Sequence, residues 1–371
     1  MKPISIPSHI GSLAPYVPGK PIEEVERELG LSGSVKLASN ENPAGPSPKA
    51  LAALREALEG VHRYPDGGGF FLKAKLSERT GLSPDRIVLG CGSTELVELL
   101  AKTFLGTDGN AVISEGAFVM YRIAVASMGR PTRLVPMTPD YRHDLEAMAE
   151  AVDARTRLVY IANPNNPTGT YVPGGAVDEF LGRVPEDVIV VLDEAYREYM
   201  LAGDYPDSMK HLSRGAALVV LRTFSKIYGL AGLRIGYALT RPDIAGALER
   251  VRSPFNTSSP AQAAALAALD DEVWVESSRR SNGEGLEWLA GELGRRGISF
   301  VPSVANFLLM FPGGDPTAIY GALMRQGVIV RPMGAFGFPS ALRVSVGTPG
   351  ENRRFVAALD ACGARAAHIG P

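Results

Sequence analysis

Short apolar runs rich in β-branched residues recur along the chain and are separated by segments with helical spacing. Residues 47–60 predict a helix, because Ser47-Pro48 opens the segment and Ala50, Leu51, Leu54 and Leu58 share one face. Apolar runs that alternate with helices are typical of buried, mostly parallel strands. The pattern therefore predicts an α/β fold in which a mostly parallel central sheet is flanked by helices. Further helices are predicted at about 94–104 and 118–128, and strands at 87–89, 111–113, 158–161, 188–192 and 218–221.

The C-terminal part of the chain has a different pattern. The alanine-rich segment 261–269 begins a long helical stretch, and the strand-like runs 307–310 and 342–346 follow it. A chain of 371 residues exceeds the usual size of a single core, so we expect two domains. We predict an N-terminal arm that also forms part of a smaller α+β domain (1–36), a large domain (37–262) and a small C-terminal domain (263–371).

Composition narrows the class of protein. Hydrophobic residues at 45% and charged residues at 21% are globular values, and a net charge of -2 offers no broad attraction for nucleic acid or an anionic membrane. Cys91 and Cys362 are the only cysteines and the five histidines lack metal-ligand spacing, so we predict neither a disulfide framework nor a metal site. Because neither a signal-peptide pattern nor a membrane-spanning run is present, we expect a cytoplasmic protein.

Polar residues follow several of the predicted strands, where ligands bind in sheets of this kind. Ser93 and Thr94 enter a helix after the strand 87–89, and its N-terminus could hold a phosphate or could simply be capped by these hydroxyls. Asn166 lies in the turn 163–169, which could also be rigid without binding a ligand. Asp193 and Tyr196 follow the strand 188–192, where a buried carboxylate needs a cation or a donor.

The segment 222–234 combines an amine with anion-binding groups. Lys226 could form a Schiff base, since nearby cations such as Arg222 and Arg234 favour its neutral form. Thr223, Ser225 and Arg234 offer the donors that a phosphate needs. A cofactor that requires both functions is pyridoxal 5'-phosphate, although an ordinary surface lysine would also explain the segment taken alone.

The same cofactor would also explain the polar residues at the ends of the other predicted strands. Asp193 would keep its ring nitrogen protonated, and Asn166 and Tyr196 would hydrogen-bond its 3-oxygen. Lys226 would then act as general base and acid at the substrate carbon. Phe118 is placed to stack on the ring, or to pack in the core.

These residues lie in motifs that span roughly 15 to 348. The motifs are Pro15–Pro21, Leu37–Pro43, Arg63–Gly67, Asn163–Gly169, Asp193–Tyr196, Arg222–Lys226 with Arg234, and Leu342–Thr348. On them the chain resembles the fold-type-I aminotransferases and, within that superfamily, the histidinol-phosphate aminotransferases. The resemblance implies a homodimeric transaminase of histidine biosynthesis, which uses pyridoxal phosphate to move an amino group between histidinol phosphate and 2-oxoglutarate.

The resemblance also assigns substrate and interface residues. Arg343, assisted by Arg331, would hold the carboxylate of glutamate or the phosphate of histidinol phosphate, so that one anion site serves both half-reactions. Tyr64 would reach across the dimer interface to the partner's cofactor phosphate. Structural ion pairs for the arginines and plain packing for the tyrosines are the alternatives. The remaining predicted substrate contacts are Tyr16, which would cover the substrate from the arm, Asn42, Tyr121 and Asn166.

Departures from the family pattern leave other functions open. Gly116-Ala117-Phe118 replaces the Pro-Thr-Tyr of many relatives, so the stacking ring has no hydroxyl, and residues 253–258 lie where relatives vary with specificity. An aromatic amino acid aminotransferase shares most of this scaffold. A decarboxylase or lyase of the same fold would release carbon dioxide without forming a ketone. A non-catalytic binding module would stay colourless with pyridoxal phosphate.

Overall fold

The apolar runs of the middle of the chain form one seven-stranded sheet. In the computed structural model, which describes residues 4–363, its strand order is β2-β8-β7-β6-β5-β3-β4. The strand β8 is antiparallel to both of its neighbours and every other pairing is parallel. This mostly parallel sheet confirms the predicted α/β fold. The strands in chain order are β1 (Val35–Lys36), β2 (Ile87–Gly90), β3 (Asn110–Ser114), β4 (Thr132–Val135), β5 (Thr156–Ala162), β6 (Ile189–Asp193), β7 (Leu218–Thr223), β8 (Gly236–Leu239), β9 (Ser299–Val301), β10 (Phe307–Phe311), β11 (Val328–Ile329), β12 (Arg331–Pro332) and β13 (Leu342–Ser345).

Helices cover both faces of this sheet. Alternate side chains of β6 enter different cores: Val190 and Leu192 pack on one face, and Ile189 and Val191 on the other. Such strands read as continuous apolar runs because neither face meets water. The α-helices are α1 (Ser8–Gly11), α2 (Ile22–Leu29), α3 (Pro48–Ala57), α4 (Phe70–Thr80), α5 (Gly92–Phe104), α6 (Val119–Ser127), α7 (Leu145–Glu150), α8 (Gly174–Arg183), α9 (Ser208–Ser213), α10 (Pro242–Val251), α11 (Ser259–Leu269), α12 (Glu272–Arg295), α13 (Pro316–Arg325) and α14 (Pro349–Ala361). Short 3-10 helices are Leu58–Gly60, Pro84–Arg86, Arg197–Tyr199, Ala231–Leu233 and Gly334–Phe336.

The C-terminal part builds a second, smaller sheet. Its strand order is β12-β13-β10-β9, all antiparallel, and helices α12 and α14 pack on it through Leu289, Leu293, Phe355 and Leu359. The strand β1 pairs in parallel with β11, which ties the N-terminal part of the chain to this unit.

The division predicted at residue 262 cuts through helix α11. The alanines of α11 pack in the core of the large sheet, and the helix lies against α3. Helix α12, which starts after a break at Asp270-Asp271, contacts that core through Val275 and the small-domain core through Leu289. We therefore propose that the boundary falls inside α12. The ends of the predicted parts, residues 1–3 and 364–371, lie outside the described residues.

Candidate active site

The carboxyl ends of β2, β5, β6 and β7 meet at one edge of the large sheet, where a cavity of about 300 Å³ opens toward the small domain. The cavity is lined by all of the predicted site residues except Asn42 and Tyr64. The elements therefore bring together residues that lie up to 327 positions apart in the chain, from Tyr16 to Arg343. Those predicted residues are Tyr16, Ser93, Thr94, Phe118, Tyr121, Asn166, Asp193, Tyr196, Thr223, Ser225, Lys226, Arg234, Arg331 and Arg343.

Lys226 lies just past the end of β7 and its amine faces the cavity. Nζ donates to the carbonyl of Ser39 at 3.2 Å and lies 5.6 Å from the centroid of the Tyr196 ring. Burial, together with the charges of Arg343 and Arg234, lowers the pKa of Lys226 to about 8. A sizeable neutral fraction of the amine is therefore present near neutral pH, as a nucleophile requires.

The predicted effect of Arg222 on Lys226 is not what the structure shows. The Arg222 guanidinium turns away from the cavity and makes a buried ion pair with Glu194, with Nη2 2.8 Å from Oε2. Ser208 donates to the other oxygen of Glu194. Arg343, more than 100 positions further along the chain, lies among the cations that act on Lys226 instead.

Asp193 ends β6 and is 5% exposed. Its Oδ2 accepts a hydrogen bond from the Tyr121 hydroxyl at 2.8 Å, and its Oδ1 accepts one from the backbone N–H of Ala195 at 3.2 Å. Burial raises the pKa of Asp193 to about 6, against the effect of these donors. Burying a charged carboxylate that has only neutral donors costs free energy, and a cation bound beside it would offset that cost.

Tyr121 was predicted to contact substrate, and its position indicates another role. The ring is fully buried on helix α6 and stacks on Tyr160, with centroids 4.8 Å apart and planes 11° from parallel. Its hydroxyl is committed to Asp193. Tyr121 therefore orients the carboxylate, because both its ring and its hydroxyl are already engaged by the protein.

The N-terminus of helix α5 forms a cradle of donors. The first backbone N–H groups of a helix, here near Ser93 and Thr94, have no acceptor within the helix. Gly92 has φ 74°, and a Cβ there would come within 2.3 Å of Arg234 Nη2, so only glycine lets the guanidinium approach. The cradle is completed by Thr223 and Ser225, whose hydroxyls are 3.0 Å apart, with Arg234 Nη1 3.3 Å from Ser225 Oγ. Such a cluster suits an anion.

Two arginines of the small domain face the opposite side of the cavity. Arg343 donates to Asn166 Oδ1 and, at 2.7 Å, to the carbonyl of Ala38. Its Nε is buried without a hydrogen-bond partner in the described chain, and burial lowers the pKa of Arg343 to about 10. Arg331 donates to the carbonyl of Val17 and lies 5.4 Å from the ring centroid of Tyr16. The arginines thus have unused capacity for an anionic ligand.

Tyr196 and Phe118 contribute aromatic walls. Tyr196 is 3% exposed, packs edge-on against Phe307, and accepts a hydrogen bond from Asn40 Nδ2 at 2.9 Å. Burial raises the pKa of Tyr196 to about 12, so its hydroxyl keeps its proton. Phe118 precedes helix α6 and meets Tyr121 edge-on at 5.6 Å.

Asn42 and Tyr64 do not reach the cavity. Asn42 Nδ2 donates to the carbonyl of Ile227 at 2.7 Å and to Ser278 Oγ at 3.0 Å. It therefore stabilises the turn beside Lys226 and is not placed to contact a substrate. Tyr64 is 82% exposed and stacks on Phe255, with ring centroids 4.7 Å apart, on the outer surface of the chain. Its predicted contact with a partner's cofactor involves a second chain and stays a prediction.

The sequence interpretation missed several residues of the cavity. Asn40 and Ser39 lie in the Leu37–Pro43 segment that was already singled out, and Gly19 lies in Pro15–Pro21, so the signal was the motif itself. Phe336 lies in no such motif. Within residues 4–363 no cluster of His, Cys, Asp and Glu could hold a metal ion. No helix of that same range is long and apolar enough to cross a membrane.

The fold and the cavity define the class of protein. The family described as "Aminotransferase class I and II" matches residues 32–359, and the chain belongs to it. Relatives within this family are more specific about the kind of aminotransferase that the chain resembles. It is 50% identical over 352 residues to "Histidinol-phosphate aminotransferase 2" of Pseudomonas fluorescens, which covers 94% of this chain and 95% of the relative. It is 49% identical over 356 residues to "Histidinol-phosphate aminotransferase" of an Anaeromyxobacter species, covering 95% and 98%.

Solved structures agree with this placement. The histidinol-phosphate aminotransferase of Sinorhizobium meliloti in complex with pyridoxal-5'-phosphate superposes with a TM-score of 0.88 at 31% identity, covering 97% of this chain and 98% of that one. A single mutant of Thermus thermophilus aspartate aminotransferase superposes with a TM-score of 0.85 at 24% identity, covering 97% of this chain and 100% of that one, and supports the fold alone. The protein is a fold-type-I aminotransferase, which confirms the class that the motifs predicted.

Proposed function

We propose that this protein transfers the amino group of histidinol phosphate to 2-oxoglutarate, in histidine biosynthesis, with pyridoxal 5'-phosphate as its cofactor. The observation that carries the proposal is one cavity that contains a lysine with a lowered pKa, a buried aspartate that makes no ion pair within residues 4–363 and a helix N-terminus lined by hydroxyls and an arginine. The relatives named histidinol-phosphate aminotransferases support the substrate.

The residues present fit this cofactor. Asp193 is hydrogen-bonded only by neutral donors in the part of the chain that the structure describes, and the glycine at position 92 leaves room for Arg234 at the helix N-terminus. Bound there, the cofactor would withdraw electrons from the substrate carbon that loses its proton. Lys226 would hold the cofactor covalently, and Asp193 would accept a hydrogen bond from its ring nitrogen. Its phosphate would lie on Ser93, Thr94, Thr223, Ser225 and Arg234, its ring face on Phe118, and its 3-oxygen by Asn166 and Tyr196.

Proton movement falls to Lys226. When it is not bonded to the cofactor, its amine would take the proton from the carbon of the amino donor and later give a proton to the carbon that comes from 2-oxoglutarate. A pKa of about 8 allows both the neutral and the protonated amine near neutral pH. Arg343, which lines the cavity and carries a planar fork of donors, would bind the carboxylate of glutamate or the phosphate of histidinol phosphate. Arg331 and Tyr16 would close the site from the small-domain side.

We also propose a homodimer in which Tyr64 of each protomer completes the partner's site. The support is a run of exposed apolar side chains in one segment: Leu58, Val61, Tyr64, Phe70 and Phe71 are each more than half exposed. Such a surface is typical of an interface. The cytoplasmic location stays a prediction.

A steady-state comparison tests the substrate. With 2-oxoglutarate as acceptor, kcat/KM for histidinol phosphate should exceed that for phenylalanine and tyrosine by more than about 100-fold, equivalent to about 2.7 kcal/mol. Similar values would favour an aromatic amino acid aminotransferase, and carbon dioxide release without a keto product would favour a decarboxylase. As control, Lys226→Ala should lose both the absorption band of the lysine-linked cofactor and all activity, while keeping its fold.

A further inference from the structure

Asn40, in the loop before helix α3, connects the two domains through the cavity. It is 1% exposed and has φ 55°, a left-handed conformation that asparagine tolerates better than most residues. Its carbonyl accepts a hydrogen bond from Asn306 Nδ2 at 3.0 Å, and its backbone N–H donates to Ser345 Oγ at 2.9 Å. The backbone of Asn40 is therefore held against the small-domain sheet. Its partner Ser345 lies on β13, two positions after Arg343.

The hydrogen bonds of Ser345 fix the orientation of the Asn40 amide. Ser345 Oγ accepts from the Asn40 backbone and lies 3.0 Å from Asn40 Oδ1, to which it gives its single hydrogen. In the reversed amide orientation Ser345, which is 3% exposed, would face an NH₂ group and its hydrogen would have no acceptor among its contacts in residues 4–363. Because a buried donor without an acceptor is costly, Nδ2 must point at Tyr196.

The direction of the next hydrogen bond follows. Asn40 Nδ2 can only donate, so the Tyr196 oxygen, 2.9 Å away, accepts. The hydroxyl of Tyr196 has no acceptor among the side chains and carbonyls of the described chain, and it lines the cavity. Its own hydrogen is therefore left to be donated to a ligand.

We infer that Asn40 is a positioning residue that, locked by Ser345, forces Tyr196 to donate its hydrogen bond into the cavity and to the cofactor oxygen beside it. This inference rests on the proposed function, because it takes the acceptor to be the 3-oxygen of pyridoxal phosphate. A donor at that oxygen stabilises its anionic form. Ser345 lies on the same strand as Arg343. The small domain that would bind the substrate anion therefore also sets the direction of the hydrogen bond from Tyr196.

The test is a double-mutant cycle on the holoenzyme, read by the pH titration of cofactor absorbance. Asn40→Asp replaces the amide with an isosteric acceptor, so Tyr196 would donate to position 40 and no longer to the cofactor. We expect Asn40→Asp to raise the apparent pKa of the bound cofactor by about one pH unit more in the wild-type background than in Tyr196→Phe. The direct effect of the new charge is common to both backgrounds and cancels.

Equal shifts in the two backgrounds would overturn the inference. Should Asn40→Asp fail to fold, Asn40→Gly accepts the left-handed backbone and removes both side-chain bonds, and its shift should again require the Tyr196 hydroxyl. The matched control is Asn352→Asp, another buried asparagine bonded through both side-chain atoms, but to Gly347 and outside the cavity. It should reduce stability without moving the titration.

The outcomes also separate this inference from the proposed function. If wild-type protein forms no Lys226-dependent absorption band with pyridoxal phosphate, the proposed function itself is wrong. If the band forms and titrates but Asn40→Asp acts without Tyr196, only the role of Asn40 is wrong.

Discussion

At the scale of single residues, Asp193 owes its orientation to Tyr121. The hydroxyl of Tyr121 is the only side-chain donor to this carboxylate in the described structure. Tyr121→Phe should therefore raise the pKa of Asp193 above its value of about 6 and weaken its pairing with a ring nitrogen. A hydrogen bond to a charged group is worth about 1.5–3 kcal/mol, so we expect kcat/KM to fall roughly 10- to 100-fold and cofactor affinity to fall with it.

Tyr160→Phe is the matched control for that change. Tyr160 is equally buried and stacks on Tyr121, but its hydroxyl donates to the carbonyl of Val97 at 3.3 Å, away from Asp193. It should leave both measurements within a few-fold of wild type. Similar losses in the two variants would show that Tyr121 acts through packing alone.

Arg343 allows a second test at this scale. Its guanidinium donates to Asn166 Oδ1 and to the carbonyl of Ala38, and these bonds fix it in place at the wall of the cavity. Arg343→Ala should raise KM for both glutamate and histidinol phosphate, by roughly 10- to 100-fold each. Arg343→Lys, which keeps the charge but not the fork, should recover part of the loss. A defect confined to one substrate would contradict a shared anion site.

At the scale of elements, the start of helix α5 decides whether the site can hold a phosphate. Gly92 combines φ 74° with an Arg234 guanidinium that would lie 2.3 Å from an added Cβ. Gly92→Ala should therefore displace Arg234 and strain the first turn. We expect cofactor affinity to fall by at least about tenfold and stability by about 1–2 kcal/mol, measured by cofactor titration and thermal unfolding.

Gly175→Ala is the matched control for Gly92→Ala. Gly175 lies in the first turn of α8, where an added Cβ meets nothing within 4 Å. Its substitution should leave cofactor affinity unchanged. If both glycine variants lost affinity equally, the close approach of Arg234 would not be what the site requires.

At the scale of the whole molecule, the proposed dimer makes a specific prediction. Lys226 lies inside the cavity whereas Tyr64 lies outside it on the same protomer, so each site would need both chains. Tyr64→Ala and Lys226→Ala homodimers should each be impaired. A heterodimer of the two variants would contain one site with both wild-type residues, and its activity should recover to roughly half that of wild type.

Purified tandem-tagged heterodimer is the sample to assay, with each homodimer as reference. Activity of the heterodimer no higher than the mean of the two homodimers would mean that Tyr64 does not complete the partner's site.

The stability of the cofactor-free protein should also depend on pH through the two buried site groups. Burial raises the pKa of Asp193 from 3.8 to about 6, so the folded chain keeps a proton that the unfolded chain has lost between these values. The free energy of unfolding should therefore fall as pH rises through this range, by about 3 kcal/mol from this group. Lys226 acts at higher pH: with its pKa lowered from 10.5 to about 8, stability rises between these values.

Urea unfolding of wild type and Asp193→Asn separates the first effect from other titrations. Near pH 4 the two proteins should be about equally stable, because wild-type Asp193 is protonated when folded. At pH 7 the cofactor-free variant should be the more stable by about 3 kcal/mol. A constant difference across this range would contradict the raised pKa of Asp193.

The order of apolar runs by itself determined most of the large sheet and the chemistry at its edge. Strands such as β5, β6 and β7 are buried on both faces, so each is a local apolar run whose last residue marks where polar groups such as Asp193 must lie. Strands β4 and β8 were not predicted: β4 is a partly exposed edge strand, and β8 is a short antiparallel strand that begins with glycine.

Only the tertiary structure decided which groups meet. Tyr121 orients Asp193, Arg222 pairs with Glu194, Asn42 braces Ile227, and Asn40 joins Ser345 to Tyr196. Periodicity tells which face of an element is buried, because burial depends on neighbours a few positions away. It cannot tell which distant side chain that face will meet, because such partners are set by how the packed elements cross.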